Sequence, residues 1–489
     1  MRAGRDARAL RTAAIVVSCL VLARGLVFAV YEHAHFDSDQ AIVGLMGKHL
    51  AEGRAFPLFF YGQTYMLGVE AWLAAPWFAL AGASVATLRA SLILTNVAVA
   101  VLLAILLQRA AGLRPAHAVA ATCFFTLAPP FTSAQLVEAQ GGNIEPFLYV
   151  VLLWWLRKRP WACGAVLAVG VLNREFTAYA VPVLLAWQAA TRELAGRDAI
   201  RHWLLVAIAF VLVREGVHAL LPVADLLGPG TRGELVGGYA GSQVANLVER
   251  VTVSPAELPS RAWAFVTRSF PTMLGGAVVD AGFAAQGRGW LGVLMAAGAA
   301  AALGRVAWLL PAARAGAAWQ APAFAWYLLG VGIVAGAAYV ASRPAGALVS
   351  RYFLLAIYAP VGLSALWLAL EPSRRVRGAV LAALCVWSAA SLVDHARYAS
   401  AFVSGRVPND MRAVADALVG DGVTTARAGY WAAYELTFLT GERVRLASTD
   451  FVRITEYQRL AERAGAVPVV RDRPCEGGRS IGRWFVCPD

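Results

Sequence analysis

Lysine is almost missing from this chain of 489 residues; only Lys48 and Lys158 occur. Charge of either sign is scarce as well, at 15%, where a soluble domain carries about 25%. With 59% hydrophobic residues and a mean hydropathy of +0.60, that scarcity excludes an ordinary soluble enzyme and identifies a polytopic membrane protein. The net charge of +13 rests almost wholly on arginines scattered between apolar runs. Such scatter speaks against a nucleic-acid partner and fits basic loops that orient a protein in the bilayer. Cysteine is sparse too. Cys19, Cys123, Cys163 and Cys385 lie in apolar runs as small core residues, and Cys475 and Cys487 lie in a polar tail. None of these spacings predicts a zinc site. An internal repeat of the kind transporters carry is also missing.

What is present is a series of apolar segments. After Arg2, Arg5, Arg8 and Arg11, the run 12–31 is long enough to cross a bilayer as a helix. A secretory leader is the rival reading; without a small-residue cleavage site before Tyr31, a retained first helix is expected. Further runs fall near 86–107, 116–131, 146–156, 161–172, 176–190, 203–221, 290–310, 321–341, 352–370 and 378–394, which gives about eleven spans. The run 71–81 is too short to cross and reads as re-entrant or interfacial. With the N-terminus cytoplasmic, the short basic connections share one side: Arg109 and Arg114, Arg157 to Arg159, Arg192 to Arg201, Arg305 and Arg314, and Arg374 to Arg377. The other, extracytoplasmic side receives the loops 32–70, 132–145 and 222–289 and the tail. Residues 1–400 then form the membrane domain and 401–489 an extracytoplasmic domain. Within the tail, β-prone pieces at 423–428, 443–447, 466–470 and 483–487 alternate with helical stretches at 409–419, 430–439 and 453–464, which predicts a small α/β domain. In an oxidising compartment Cys475 and Cys487 are able to pair.

The stretch from His35 to Glu70 concentrates the polar chemistry. Asp37 and Gln40 have the spacing of a capping box, and Ile42, Leu45, Met46, His49 and Leu50 recur at helical spacing, so a helix over 39–52 is expected along the membrane surface. That accounts for Asp37 and leaves Asp39 either to the helix dipole or to chemistry. The Asp37-x-Asp39 spacing can also hold a divalent cation. Lys48 and His49 face a phosphate or the headgroup region. Glu70 beside an apolar run is able to face a cavity. In the second loop Glu138, Asn143 and Glu145 surround Gly141-Gly142, which is either an irregular backbone near a ligand or a solvated turn. Arg174 interrupts two apolar runs next to Glu175, and Arg24 lies inside the first span; charges at such depth pair or line a cavity. Arg351, with Arg343 nearby, is either an interfacial anchor or a grip for phosphate.

Phe36-Asp37-Ser38-Asp39-Gln40-Ala41, the run from Pro57 to Ser84, Leu88-Arg89 and the later Ser350-Arg351-Tyr352 together resemble the GT-C superfamily of membrane glycosyltransferases, nearest to the protein O-mannosyltransferase and aminoarabinose transferase type. The likeness covers 1–190 well, 343–360 moderately and the tail hardly at all. It implies a GT-C-like helical membrane fold and a polyprenyl-phosphate-linked sugar donor. It further implies an acceptor outside the cytoplasm and inversion at the anomeric carbon, in a bacterial inner membrane. No cofactor is implied beyond a possible divalent cation. By position Asp39 matches the catalytic aspartate. Gln40 stands where the family often has Glu, and Gln63 falls near a donor-phosphate lysine. Asp37, Lys48, Gln63, Glu70, Glu138, Asn143, Glu145, Arg174 and Arg351 are the substrate-binding candidates. Two other classes stay open: a transporter or flippase of lipid-linked sugars, and a catalytically silent envelope scaffold.

Overall fold

The computed structural model describes residues 2–63, 65–221, 255–280, 285–287, 289–315, 318–342 and 350–488. Arg343 and most of the 222–289 loop lie outside the described residues. Among the described residues, four helices are long and apolar enough to cross a membrane: Ala7–Val30, Val85–Arg109, Ala323–Val340 and Arg374–Val403. Five shorter apolar helices accompany them, at Val69–Ala81, Glu145–Leu156, Pro160–Asn173, Met295–Pro311 and Leu354–Leu370.

Lipid supplies no hydrophobic drive between helices, so close packing has to hold them. Glycines permit it at one seam. A Cβ on Gly332 or Gly362 would overlap the backbone of Ala359 or Leu329, so Ala323–Val340 and Tyr358–Leu370 meet backbone to backbone. Buried polar groups tie other helices. Arg24 donates to Asn96 Oδ1 at 2.5 Å and Ser133 Oγ at 3.3 Å, which gives the charge in the first span neutral partners.

The expected span at 116–131 is three short helices, Pro115–Ala121, Cys123–Thr126 and Pro130–Leu136. The pair Pro129-Pro130 cannot donate to a helix and pushes the residue before it out of helical geometry. The carbonyls released by the break find other donors, as hydrocarbon requires. Ser391 Oγ bonds Leu127 O at 2.5 Å and His395 Nε2 meets Ala128 O at 2.8 Å.

The helix of the first loop runs Ser38–Ala51. Its apolar face is covered by the helix Val69–Ala81 and by the tail. Ala41, Ile42, Leu45 and Met46 are fully buried, and Gly44 sits so close beneath Phe438 that a Cβ would come 2.6 Å from the ring. Asp37 caps it by accepting the Gln40 N–H at 3.0 Å. The reciprocal half of the capping box is not made, because Gln40 Nε2 bonds the His35 carbonyl at 2.8 Å.

The tail forms the expected α/β unit. Its sheet has five strands in the order Arg445–Ser448, Thr425–Ala428, Val469–Arg471, Trp484–Cys487, Arg479–Ile481. The first three are parallel and the last two add antiparallel. The helices are Asp410–Gly420, Tyr430–Leu439 and Thr455–Ala464. The edge strand Arg479–Ile481 is the one element the tail's sequence did not announce; it is three residues long with two exposed. Cys475 and Cys487 form a disulfide with Cα atoms 6.0 Å apart.

Candidate active site

The site sits where the first loop, the segment 137–144, the turn 350–352 and the tail meet. Its floor is built by Arg89. This buried guanidinium donates to the carbonyls of Phe28 at 2.7 Å, Ala34 at 2.8 Å and His35 at 2.9 Å. It therefore sets where the first helix ends and how the chain turns into Asp37.

Segment 137–144 supplies the back wall. Far from being a solvated turn, it is buried throughout. Gly141 and Gly142 have φ of +76° and +107°, which L side chains rarely adopt. That geometry aims both amides at one carboxylate: Gly141 N–H and Gly142 N–H donate to the two oxygens of Glu70 at 2.6 and 2.8 Å. A side chain on Gly142 would also come within 2.6 Å of Arg174 Cγ. Glu145, 1% exposed, sets its carboxyl against that of Glu70. Arg174 donates to the Gln140 carbonyl at 3.1 Å and contacts Met66 Sδ at 3.3 Å. Glu70 and Arg174 thus lie beneath the site and hold its backbone, with Glu145 buried beside Glu70.

Above this layer Gln140 joins two of the predicted residues. Its Oε1 accepts from Arg351 at 2.6 Å, and its Nε2 donates to Asp37 at 2.9 Å. Asp39, partly open to solvent, accepts from the hydroxyl of Tyr430 in the tail, and its charge acts on Arg351. Gln63 turns its amide oxygen to the guanidinium of Arg453, at 2.8 and 3.1 Å. Glu138 meets His35 Nε2 at 3.2 Å and accepts from Asn143 at 3.0 Å. Asp37, Asp39, Gln63, Glu138, Asn143 and Arg351 are therefore brought together.

The electrostatics of this mouth are unbalanced. Burial, then the charges of Glu138 and Asp39, push the Asp37 carboxyl up to about 7. Burial followed by Asp37 also raises Glu435, on the tail helix facing it, well above the ordinary carboxylate range.

Lys48 is placed elsewhere. Nine residues along a helix carry it about 13 Å from Asp39, where it pairs with Glu442 at 2.6 Å and Glu52 at 2.7 Å. As for a divalent cation, Asp37 already accepts hydrogen bonds from Gln40 and Gln140, so its oxygens fit a cap better than a coordination shell. Among the described residues no group of three or more His, Cys, Asp or Glu side chains is arranged to hold a metal.

Four contributors escaped the sequence reading: His35, Gln140, Tyr430 and Arg453. Only Gln140 had a local signal, its place beside Gly141-Gly142.

No protein-family model matches the chain, and no curated protein matches it in sequence. Solved structures do match in fold. The crystal structure of ArnT from Cupriavidus metallidurans bound to undecaprenyl phosphate aligns with a TM-score of 0.60 at 12% identity, over 98% of this chain and 97% of that one. The apo state of the same protein gives 0.57 at 11% identity, over 100% and 98%. An apo oligosaccharyltransferase from Archaeoglobus fulgidus gives 0.50 at 14% identity, over 95% and 69%. The chain shares its fold with these structures: multi-pass and largely helical, with a small C-terminal α/β domain.

Proposed function

We propose that this chain is a membrane glycosyltransferase that moves a sugar from a polyprenyl-phosphate donor to an extracytoplasmic acceptor with inversion. The observation that carries this reading is the convergence of a partly exposed carboxylate and a guanidinium on one mouth. Asp39 and Arg351 come from segments far apart in the chain, and Gln140 links Arg351 to Asp37, the cap of the helix that bears Asp39. The likeness in fold to a protein crystallised with undecaprenyl phosphate supports a lipid-linked donor.

The chemistry follows from the groups present. The donor phosphate rests against Arg351, whose planar fork suits phosphate oxygens. Asp39 takes the proton of an acceptor hydroxyl, and that oxygen attacks the anomeric carbon from the face opposite the phosphate. The bond to lipid phosphate breaks, and Arg351 stabilises the charge that grows on the leaving oxygen. Arg174 serves beneath this layer by fixing the Gln140 backbone. Glu138 fixes the His35 ring at 3.2 Å and is the candidate for positioning the acceptor. No step is routed through a metal.

Orientation is part of the proposal. Arg114, His117 and Arg377 gather around one cavity with Pro322 and Pro372, at the end we assign to the cytoplasm by the positive-inside rule. The site and the disulfide-bearing tail belong to the opposite, oxidising face.

The test is transfer of radiolabelled sugar from polyprenyl-phosphate donors to envelope acceptors, in membranes holding the native chain or Asp39→Asn at equal level. Transfer by the native chain, reduced at least a hundredfold in the variant, is expected. Equal transfer in both removes Asp39 from its role. No transfer with any donor, in the presence of total envelope material, overturns the enzyme reading in favour of transport or scaffolding.

A further inference from the structure

The tail does more than cover the first loop, because it places a side chain on Asp39. Tyr430 opens the helix Tyr430–Leu439, and its hydroxyl donates to Asp39 Oδ1 across 391 residues of sequence. The phenol has almost no freedom to turn away. Its backbone N–H is held by Asp450 Oδ1 at 2.7 Å, and its carbonyl accepts from Ser38 Oγ at 2.6 Å, one residue before Asp39. Its ring packs at edge-to-face angles against Trp431, Tyr434 and Phe451. The phenolic oxygen in turn faces the guanidinium of Arg453. That guanidinium lies over the rings of Phe60 and Phe451, 5.1 and 4.5 Å from their centroids, and meets Gln63. A donor to the phenolic oxygen polarises the O–H and strengthens what it gives to Asp39.

We propose that Tyr430 is a positioning residue for Asp39: through it the C-terminal domain holds the carboxylate in one orientation toward the mouth. This rests on the glycosyltransferase reading for its catalytic meaning, while the hydrogen bond itself can be tested without turnover. Charged groups from each element of the site surround the pair. Asp37 lies at the cap of the same helix, Glu138 comes from the segment 137–144, Arg351 from the turn 350–352, and Glu435 and Arg453 from the tail.

The tail is therefore part of the reacting site. Its docking decides whether Asp39 is poised as a base, which neither the membrane helices nor the first loop achieves alone.

The full-length chain in nanodiscs is studied by infrared difference spectroscopy at fixed pH. The Asp39 carboxylate band is identified as the signal lost in Asp39→Asn. Tyr430→Phe keeps the ring and removes only the hydroxyl. The band is expected to shift in frequency and broaden in Tyr430→Phe, because the carboxylate loses a hydrogen-bond donor that fixed it. Arg453→Gln, which leaves the hydroxyl in place, is expected to shift it by less in the same direction. An unchanged band in Tyr430→Phe, with melting like the native chain, overturns the proposal. Should Tyr430→Phe fold poorly, an unchanged band in Arg453→Gln counts against it equally. In transfer assays kcat should fall about tenfold in Tyr430→Phe while the donor KM stays within about twofold. A shifted band with no transfer by the native chain leaves the hydrogen bond standing and defeats the glycosyltransferase reading instead.

Discussion

The two ends of the helix Ser38–Ala51 treat buried carboxylates in opposite ways. At its C-terminal end Glu442 of the tail is surrounded by donors. Lys48 reaches it at 2.6 Å, Arg54 at 2.5 Å, His49 at 3.0 Å and the Tyr457 hydroxyl at 2.8 Å. Burial alone would raise this carboxyl, but the hydrogen bonds from His49, Lys48 and Tyr457 outweigh it and hold it well below the ordinary value of 4.5. At the N-terminal end Asp37 is raised by burial and by Glu138 and Asp39, with Glu435 close behind. One end is satisfied and the other is not. A fold that only needed a tail docked on a loop would balance both. The unbalanced end carries Asp39, partly open to solvent, and faces Arg351, which is where a substrate would complete the charge pattern.

The largest effect is expected from breaking the satisfied end. Glu442→Ala leaves buried His49 without its carboxylate and leaves Lys48 and Arg54 to share Glu52. It should cost about 3 kcal/mol, the low end for a broken buried pair because Arg54 is partly exposed and stays hydrated. Limited proteolysis should then release the tail from the membrane domain, and transfer should fall with it. A tail that stays protease-resistant would mean that Phe438 and the apolar face of the loop helix dock it unaided.

A smaller effect of opposite sign is expected at the other end. The folded chain keeps the Asp37 proton up to about 7, against 3.8 for the ordinary side chain. The stability this lends is complete below 3.8 and is lost as pH rises through about 7. Glu442 runs the other way; its contribution is present above 4.5 and is lost as pH falls below that value. Asp37→Asn retains a good helix cap and should flatten the fall in melting temperature between pH 3.8 and about 7. It should leave stability below that window as it was and lower transfer by about tenfold or less, the worth of one hydrogen bond to Gln140. A fall across that window that persists in the variant would assign it to another group.

Much of this was legible in the chain. The tail's alternation of β-prone and helical stretches names four of its five strands and all three helices, because each is a short amphipathic piece with turn residues between. The cap at Asp37 was legible because capping is local. Lys48 misled because a sequence shows that a cation is near in number, while the helix carries it to the far end. Tyr430 and Arg453 were hidden for a different reason. Nothing local distinguishes a tyrosine that packs from one that reaches Asp39, and the partner lies 391 residues away. Glu70 reads as an acid able to face a cavity and Glu145 as part of a loop near a ligand or a solvated turn, and the structure gives both a buried place under the glycine turn that no spacing reveals.

The most direct measurement of the central idea, that the unbalanced mouth receives a lipid phosphate, is the melting temperature of the purified chain with and without polyprenyl phosphate. A ligand at a hundredfold its Kd adds about 2.7 kcal/mol to the folded state, so the native chain should melt several degrees higher and Arg351→Gln should show little or no rise. An equal rise in both, or none in the native chain at saturating lipid, would contradict the account.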